Sequence, residues 1–323
     1  MSQGIRIAVC DDWEQAALES ADWSEVQQHA EVQFFTAPFK SQQDAIASLK
    51  EFDAICLMRE RTPFPKEVIE QLPRLRRLLS TGERNLSVDS EFARSRDIEV
   101  SGTPGGPNKA STAEHTWALI LAATRRVVPS MTGVRAGHWR GNAAGDVYEL
   151  PDTLEGDRLG IIGLGAIGQR VARIGQAMGM EVVAWSQNLT DEKAAAAGVR
   201  RVEKNELLAT SKVISLHLVL SDRTRGILGP TEYCLMRRDS VLVNTSRAGL
   251  LDEEGLAQAL SSGRPAHAAI DVFSVEPVMP DHPLLHHPQV TLTPHLGFVA
   301  TRVYEMFYKT MVNDLLRWLK KQN

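Results

Sequence analysis

Arg158-Leu-Gly-Ile-Ile-Gly163-Leu-Gly165-Ala166-Ile167-Gly168-Gln169 is the stretch on which the fold turns. It opens as an apolar strand pattern, and beyond Gly165 the apolar residues Ile167, Val171, Ile174 and Met178 fall at i, i+4, i+7 and i+11, one face of a helix. Between strand and helix, Gly163 permits a tight turn, Gly165 lets backbone approach a pyrophosphate, and Gly168 lets the helix pack on the strand. The unpaired N–H groups and dipole at the helix amino end favour negative charge. Three glycines at this spacing are a weak signal alone; the strand-to-helix setting gives them weight. The stretch reads as a dinucleotide-binding turn at the start of a doubly wound parallel sheet.

The flanking sequence keeps the same rhythm. Downstream, strands are expected over 159–163, 181–185, 213–218, 241–245, 268–272 and 290–293, with helical segments between them, as a six-stranded doubly wound sheet requires. Upstream, strands over 5–10, 32–35, 54–58, 78–80 and 98–101 alternate with helical patterns such as 41–51, which predicts a smaller α/β domain with its own parallel sheet. Gly102-Thr-Pro-Gly-Gly-Pro107 breaks all periodicity and is the candidate crossing between domains. Ser111-Thr-Ala-Glu114 has capping-box spacing and predicts the start of a long apolar helix through Trp117, Leu119, Ile120 and Leu121. The amphipathic segment 301–320 has no strand of its own to follow, so it is expected to return to the first domain and make that domain discontinuous.

Composition excludes several classes of function. The 36 basic and 40 acidic residues of the 323 are balanced, without a polybasic arm or acidic tail, which argues against nucleic acid as the main partner. Cys10, Cys56 and Cys234 are odd in number and widely spaced among apolar residues, unlike a disulfide framework or zinc site, and a cytoplasmic setting is expected. No run approaches about 18 apolar residues and no basic-then-apolar leader precedes the first strand, so neither membrane nor secretion is expected. His282, His286 and His287 lie among prolines with no acidic or cysteine ligand arranged around them, and read as a surface turn; no metal is expected.

Three polar residues then stand just past strand patterns in the last quarter of the chain. They are Arg247 in Asn244-Thr245-Ser-Arg247, Glu276 in Asp271-Val-Phe-Ser-Val-Glu276-Pro277, and His295 in Thr293-Pro-His295. Ligands sit at the carboxyl ends of strands in open α/β sheets, so a cation, a carboxylate and an imidazole there can converge on one crevice. Arg247 suits a carboxylate, which its planar fork holds in two bonds. His295 suits proton transfer, since a histidine titrates near working pH, and Glu276 is expected to hold the imidazole in one tautomer and favour its charged form. Taken singly, each has a structural explanation; their order and their company with the glycine turn favour a site. His217 reads as a strand residue near the cofactor, and His115 as a packed or hydrogen-bonded residue at the domain junction.

With Gly163–Gly168, Asn244-Thr-Ser-Arg247-Ala-Gly-Leu-Leu-Asp252-Glu253, Asp271 to Pro277, Thr293-Pro-His295-Leu-Gly297 and Ala113-Glu114-His115, the chain resembles the D-isomer-specific 2-hydroxyacid dehydrogenases over nearly its full length. The resemblance implies two Rossmann-like domains with a cleft between them: a substrate domain over 1–103 and 299–323, and an NAD(P)-binding domain over 104–298. It assigns catalysis to Arg247, Glu276 and His295. Cofactor contacts fall to Gly163, Gly165, Ala166, Ile167, Gly168, Ser186, Thr245, Asp271 and Gly297, with Asp271 at the nicotinamide. Substrate contacts fall to Arg59, Thr81, Gly82 and Arg84. It further implies a homodimer and a small 2-oxo or D-2-hydroxy acid, of the D-3-phosphoglycerate, hydroxypyruvate or glyoxylate class. A cofactor-sensing binding protein of the corepressor kind is the alternative. The acid expected about 20 residues beyond the first glycine, to bind the ribose hydroxyls of NAD, is replaced by Ser186. NAD is the reading and NADP the alternative, since Gln187 and Asn188 bring no cation.

Overall fold

The computed structural model describes residues 4–83, 85–104, 108–139 and 150–322. Its contacts divide the chain into two compact units, Met1–Asn108 with Val299–Asn323, and Lys109–Phe298.

In the first unit, short apolar runs form β1 (Arg6–Val9), β2 (Glu31–Phe34), β3 (Ala54–Leu57), β4 (Arg77–Ser80) and β5 (Glu99–Gly102). All pair in parallel, in the order β2-β1-β3-β4-β5. Parallel neighbours need crossover connections, which the intervening helices supply. One of them is Gln42–Leu49, where the Ser41 hydroxyl accepts from the Asp44 amide and satisfies one otherwise unpaired donor. Strand β3 is buried on both faces, as its unbroken Ala-Ile-Cys-Leu run requires. The helix Thr301–Leu319 belongs to this unit, burying Val303, Phe307, Met311, Leu315 and Trp318 and packing on the helices Ala17–Ser20 and Ser24–His29.

The second unit carries β6 (Arg158–Ile162), β7 (Glu181–Trp185), β8 (Arg200–Arg201), β9 (Val213–Leu216), β10 (Val241–Asn244), β11 (His267–Ile270) and β12 (Val290–Leu292). The order is β12-β11-β10-β9-β6-β7-β8, again all parallel. Chain order reverses between β6 and β9, the switch point at which doubly wound sheets hold ligands. One face of the sheet packs on Trp117, Ile120 and Val171, the other on Tyr233, Leu256 and Leu260.

Three expectations are corrected. The sheet has seven strands, not six, because Arg200–Arg201 joins β7 through Val183 and Ala184. A two-residue polar pair carries no alternation to read. The helix through Trp117 begins at Asn108, so Ser111 is already inside it and the Ser111–Glu114 pattern is no amino-terminal cap. A further helix, Val127–Arg135, was not expected; it buries none of its residues and so lacks an apolar face aimed at the core. Of the break over 102–107, residues 105–107 lie outside the described residues.

Candidate active site

The glycine turn is built as its sequence suggests. Gly163 follows β6 at φ +102°, and a Cβ there would lie 2.7 Å from the His217 carbonyl. A Cβ on Gly168 would collide with the Gly163 carbonyl oxygen. Both glycines are therefore required by packing of the chain on itself. Gly165 differs: it is the N-cap of the helix Ala166–Ala177, and a Cβ there meets nothing within 4 Å. The space is open where backbone approach to a ligand was expected. His217 borders this turn, with Nε2 2.9 Å from Ser215 Oγ and a buried Nδ1 without a partner among the described residues. Burial pushes its imidazole down to about 3, so it is neutral at ordinary pH and no proton donor.

The other residues rise from adjoining strand ends. β10, β11 and β12 are neighbours, and Arg247, the Asp271–Glu276 stretch and His295 follow them in that order. His295 Nδ1 lies 2.6 Å from Glu276 Oε2, while Glu276 Oε1 accepts the Phe273 amide at 2.9 Å, so the carboxylate is held at both oxygens. The Phe298 ring meets the imidazole edge-on, with centroids 5.5 Å apart. With Nδ1 engaged, Nε2 is the ring atom left to exchange a proton with a ligand.

His295 sits at φ +55°, a left-handed conformation that a non-glycine residue keeps only where its surroundings dictate it. Asp271 dictates it. The His295 amide donates to the Asp271 carbonyl at 2.8 Å, Leu296 and Gly297 donate to its two carboxylate oxygens at 2.8 and 2.9 Å, and Thr293 Oγ1 donates at 2.5 Å. His115 Nε2 closes the set, 3.0 Å from both Asp271 Oδ1 and Thr293 Oγ1. Asp271 is fully buried, and the chain's own donors engage both its oxygens. The structure thus shows Asp271 as the clamp that shapes the loop bearing His295, and His115 as a hydrogen-bonded support for it.

Arg247 leaves β10 in extended conformation and donates from Nη1 to the Ser246 carbonyl at 2.7 Å. Asn244 fixes the turn, accepting the Ser246 amide and donating to the Arg247 carbonyl, both at 3.0 Å. Thr245 is buried, its hydroxyl 2.8 Å from that of Thr116. Ser186 follows β7 with its side chain partly exposed.

In the first unit, Arg59, Thr81 and Gly82 gather at the carboxyl ends of β3 and β4. Arg59 has φ +56°, and its guanidinium lies across Gly82, where a Cβ would collide with it. The Arg59 amide donates to Thr81 Oγ1 at 2.8 Å; the amides of Thr81 and Gly82 donate to the Leu57 carbonyl and Thr103 Oγ1. The donors of Thr81 and Gly82 are thus spent inside the unit, and the feature this edge presents is the arginine stacked on the glycine. Arg84 lies outside the described residues. Sequence reading missed the neighbouring Arg61, which lies over the Trp13 ring and binds both Glu14 oxygens at 2.6 and 2.8 Å. Glu14 lies 47 residues away, beyond any local pattern.

Comparison with known proteins agrees with this geometry. Residues 117–297 match the profile described as D-isomer specific 2-hydroxyacid dehydrogenase, NAD binding domain. The glyoxylate reductase of Aeropyrum pernix is 40% identical over 260 residues, covering 80% of this chain and 76% of the relative. The D-3-phosphoglycerate dehydrogenase of Archaeoglobus fulgidus is 35% identical over 257 residues, but the chain spans only 47% of that relative's length. Among solved structures, a putative D-3-phosphoglycerate dehydrogenase from Ralstonia solanacearum matches with a TM-score of 0.91 and 33% identity, covering 99% of this chain and 95% of the other. The chain belongs to the D-isomer-specific 2-hydroxyacid dehydrogenase family. It is an NAD-dependent oxidoreductase that moves hydride between the nicotinamide and a 2-hydroxy acid. The residues present fit that cofactor: the open Gly165 position and the amino end of Ala166–Ala177 form the cradle a pyrophosphate requires.

Proposed function

We propose that the protein reduces glyoxylate or hydroxypyruvate to the corresponding 2-hydroxy acid, with His295 and Glu276 as the acid/base pair and Arg247 as the group that binds and polarises the substrate. The 2.6 Å contact between His295 and Glu276, on a strand end beside that of Arg247, carries this reading. Bound NADH supplies the hydride. Glu276 holds Nδ1 and so leaves Nε2 to donate to the substrate oxygen that becomes the hydroxyl; in the reverse direction the same atom accepts that proton. The guanidinium of Arg247 pairs with the substrate carboxylate and draws charge toward the carbonyl oxygen. Oxidation of D-3-phosphoglycerate is a second reading, favoured by the Ralstonia and Archaeoglobus relatives.

Other features support a cytoplasmic homodimer. Val127, Val128, Met131 and Val134 expose apolar surface along one helix, as a face covered by a second copy does. All three cysteines are unpaired, which suits a reducing compartment. Among the described residues no helix is long and apolar enough to cross a membrane.

The test is loss of reduced-nicotinamide absorbance when protein and NADH meet glyoxylate, hydroxypyruvate, phosphohydroxypyruvate or pyruvate. Turnover is expected with one of the first two. Arg247→Ala should lower kcat/KM by roughly 3 kcal/mol of transition-state stabilisation, about a hundredfold or more. Full activity of that variant would remove Arg247 from the mechanism, and turnover confined to the phosphorylated acid would establish the second reading.

A further inference from the structure

A second histidine and carboxylate, His282 and Glu253, meet beside the loop that carries Glu276. Glu253 opens the helix Glu253–Ser261, which Leu256 and Leu260 anchor to the sheet. The residue before it, Asp252, is pinned at its carbonyl by the hydroxyl of the buried Tyr233 at 2.9 Å. An acid in a first helical turn is favourable in itself, but this one reaches to another element. Its Oε2 accepts the Ser274 hydroxyl at 2.5 Å, and its Oε1 is buried with no hydrogen-bond partner among the described residues. A buried carboxylate oxygen without a donor costs free energy, which an ordinary helix-start acid in water does not incur.

The group beside that oxygen is His282, whose Nε2 lies 3.8 Å from Glu253 Oε1. Although His282 stands in the proline-bounded turn, its side chain is only 16% exposed. Two contacts fix the ring: Nδ1 accepts the Leu284 amide at 3.3 Å, and the imidazole meets the Phe273 ring edge-on, with centroids 5.5 Å apart. Leu284 is itself fully buried in the core. With Nδ1 an acceptor, the hydrogen of the neutral imidazole is on Nε2, and an approach of about 1 Å brings it within bonding range of the carboxylate. Phe273 and Ser274 are thus held from two sides, the ring of one by His282 and the hydroxyl of the other by Glu253. The Phe273 amide is the donor that fixes Glu276 Oε1 at 2.9 Å.

We propose that Glu253 and His282 are positioning residues for the acid/base pair: by bracing Phe273 and Ser274 they fix the amide that holds Glu276 against His295. The brace is rigid because one end belongs to a packed helix and the other to the segment anchored by Leu284. The inference rests on the assignment of Glu276 and His295 as that pair. Its effect passes through Glu276, so it belongs to the step that moves the proton and not to the binding of substrate or cofactor.

The experiment is steady-state kinetics of the intact protein with NADH and the 2-oxo acid it turns over, together with NADH titrations and thermal melts. The variants are Glu253→Ala, His282→Ala, His282→Gln and Ser274→Ala, each alone and combined with Glu276→Gln. In Glu253→Ala and His282→Ala, kcat should fall by roughly tenfold while KM and NADH affinity stay within about twofold, since a small misplacement of a proton-transfer group suffices for such a loss. His282→Gln should recover most of it, because its amide nitrogen can donate where the imidazole Nε2 does. Ser274→Ala removes one exposed hydroxyl; it should lower kcat about threefold with the thermal midpoint unmoved, and it decides the question if the other truncations do not fold. In the Glu276→Gln background none of these substitutions should lower kcat much further, since a positioning residue then has nothing left to position. Losses in kcat that multiply with that of Glu276→Gln, or that appear only in KM, NADH affinity or thermal midpoint, would overturn the proposal and leave the acid/base pair standing. Absence of turnover in the unsubstituted chain, or a fully active Glu276→Gln, would instead overturn the reading on which the proposal rests, and the proposal with it.

Discussion

Glu276 does two jobs with two oxygens, and the geometry separates them. Oε2 meets the imidazole at 2.6 Å, and Oε1 is tied to the Phe273 amide, so the carboxylate cannot swing away from His295. Glu276→Gln keeps the size but loses the charge, and the amide nitrogen can offer His295 a donor where an acceptor is needed. The expected outcome is a fall in kcat of about 2–4 kcal/mol in barrier height with KM little altered, because the loss appears where the proton moves. Steady-state kinetics check this; a KM effect alone would make Glu276 a substrate contact instead. The sequence showed this pair as two chemical types in the right order. It did not show Asp271 as the clamp, because its partners stand at His115, Thr293, Leu296 and Gly297, and two of those bonds come from backbone amides that residue identity does not reveal.

The unit of β6, glycine turn and helix Ala166–Ala177 makes the contrast between glycines testable. Gly168 is buried against the Gly163 carbonyl, whereas the Gly165 position opens on empty space. Gly168→Ala should push the helix off β6 and lower stability by about 1–3 kcal/mol through overpacking. Gly165→Ala should leave the thermal midpoint of the cofactor-free protein almost unmoved while weakening NADH by about tenfold or more, because its methyl group occupies space the pyrophosphate needs. Thermal melts and NADH titrations of both variants give the answer. Equal losses of stability would mean that both glycines serve packing only. Elements of this kind were legible because their signals are local: an apolar run, glycines at fixed offsets, a helical face. Val127–Arg135 was not, since it buries nothing, and Arg200–Arg201 was not, since its strand state comes from pairing with β7.

Over the whole molecule, buried titratable groups tie stability to pH in opposing directions. Burial holds His217 down from 6.5 to about 3 and His267 from 6.5 to about 4, in the latter with help from Arg126 and His287. Burial raises Asp11 from 3.8 to about 6, although its bond from Thr62 Oγ1 at 2.7 Å and the charge of Arg61 oppose the rise. Each histidine is neutral when folded but takes up a proton when unfolded below its ordinary value. Its contribution to stability is therefore complete above pH 6.5 and is lost as the pH falls toward its folded value. Asp11 runs the other way: its contribution is complete below 3.8 and is lost as the pH rises through about 6. Between pH 6 and 4 these two histidines outweigh this aspartate, so together the three groups make the fold less stable as the pH falls. The thermal midpoint should fall continuously as the pH is lowered from 7 to 4. His267→Gln should flatten that fall, since His267 lies at the start of β11, bonded to Thr291 Oγ1 at 3.0 Å and away from the glycine turn. Asp11→Asn should steepen it by removing the compensating group. A midpoint constant across this range in the unsubstituted protein would mean that these imidazoles take up protons without unfolding, and would overturn the assignment of His217 and His267 as buried neutral groups.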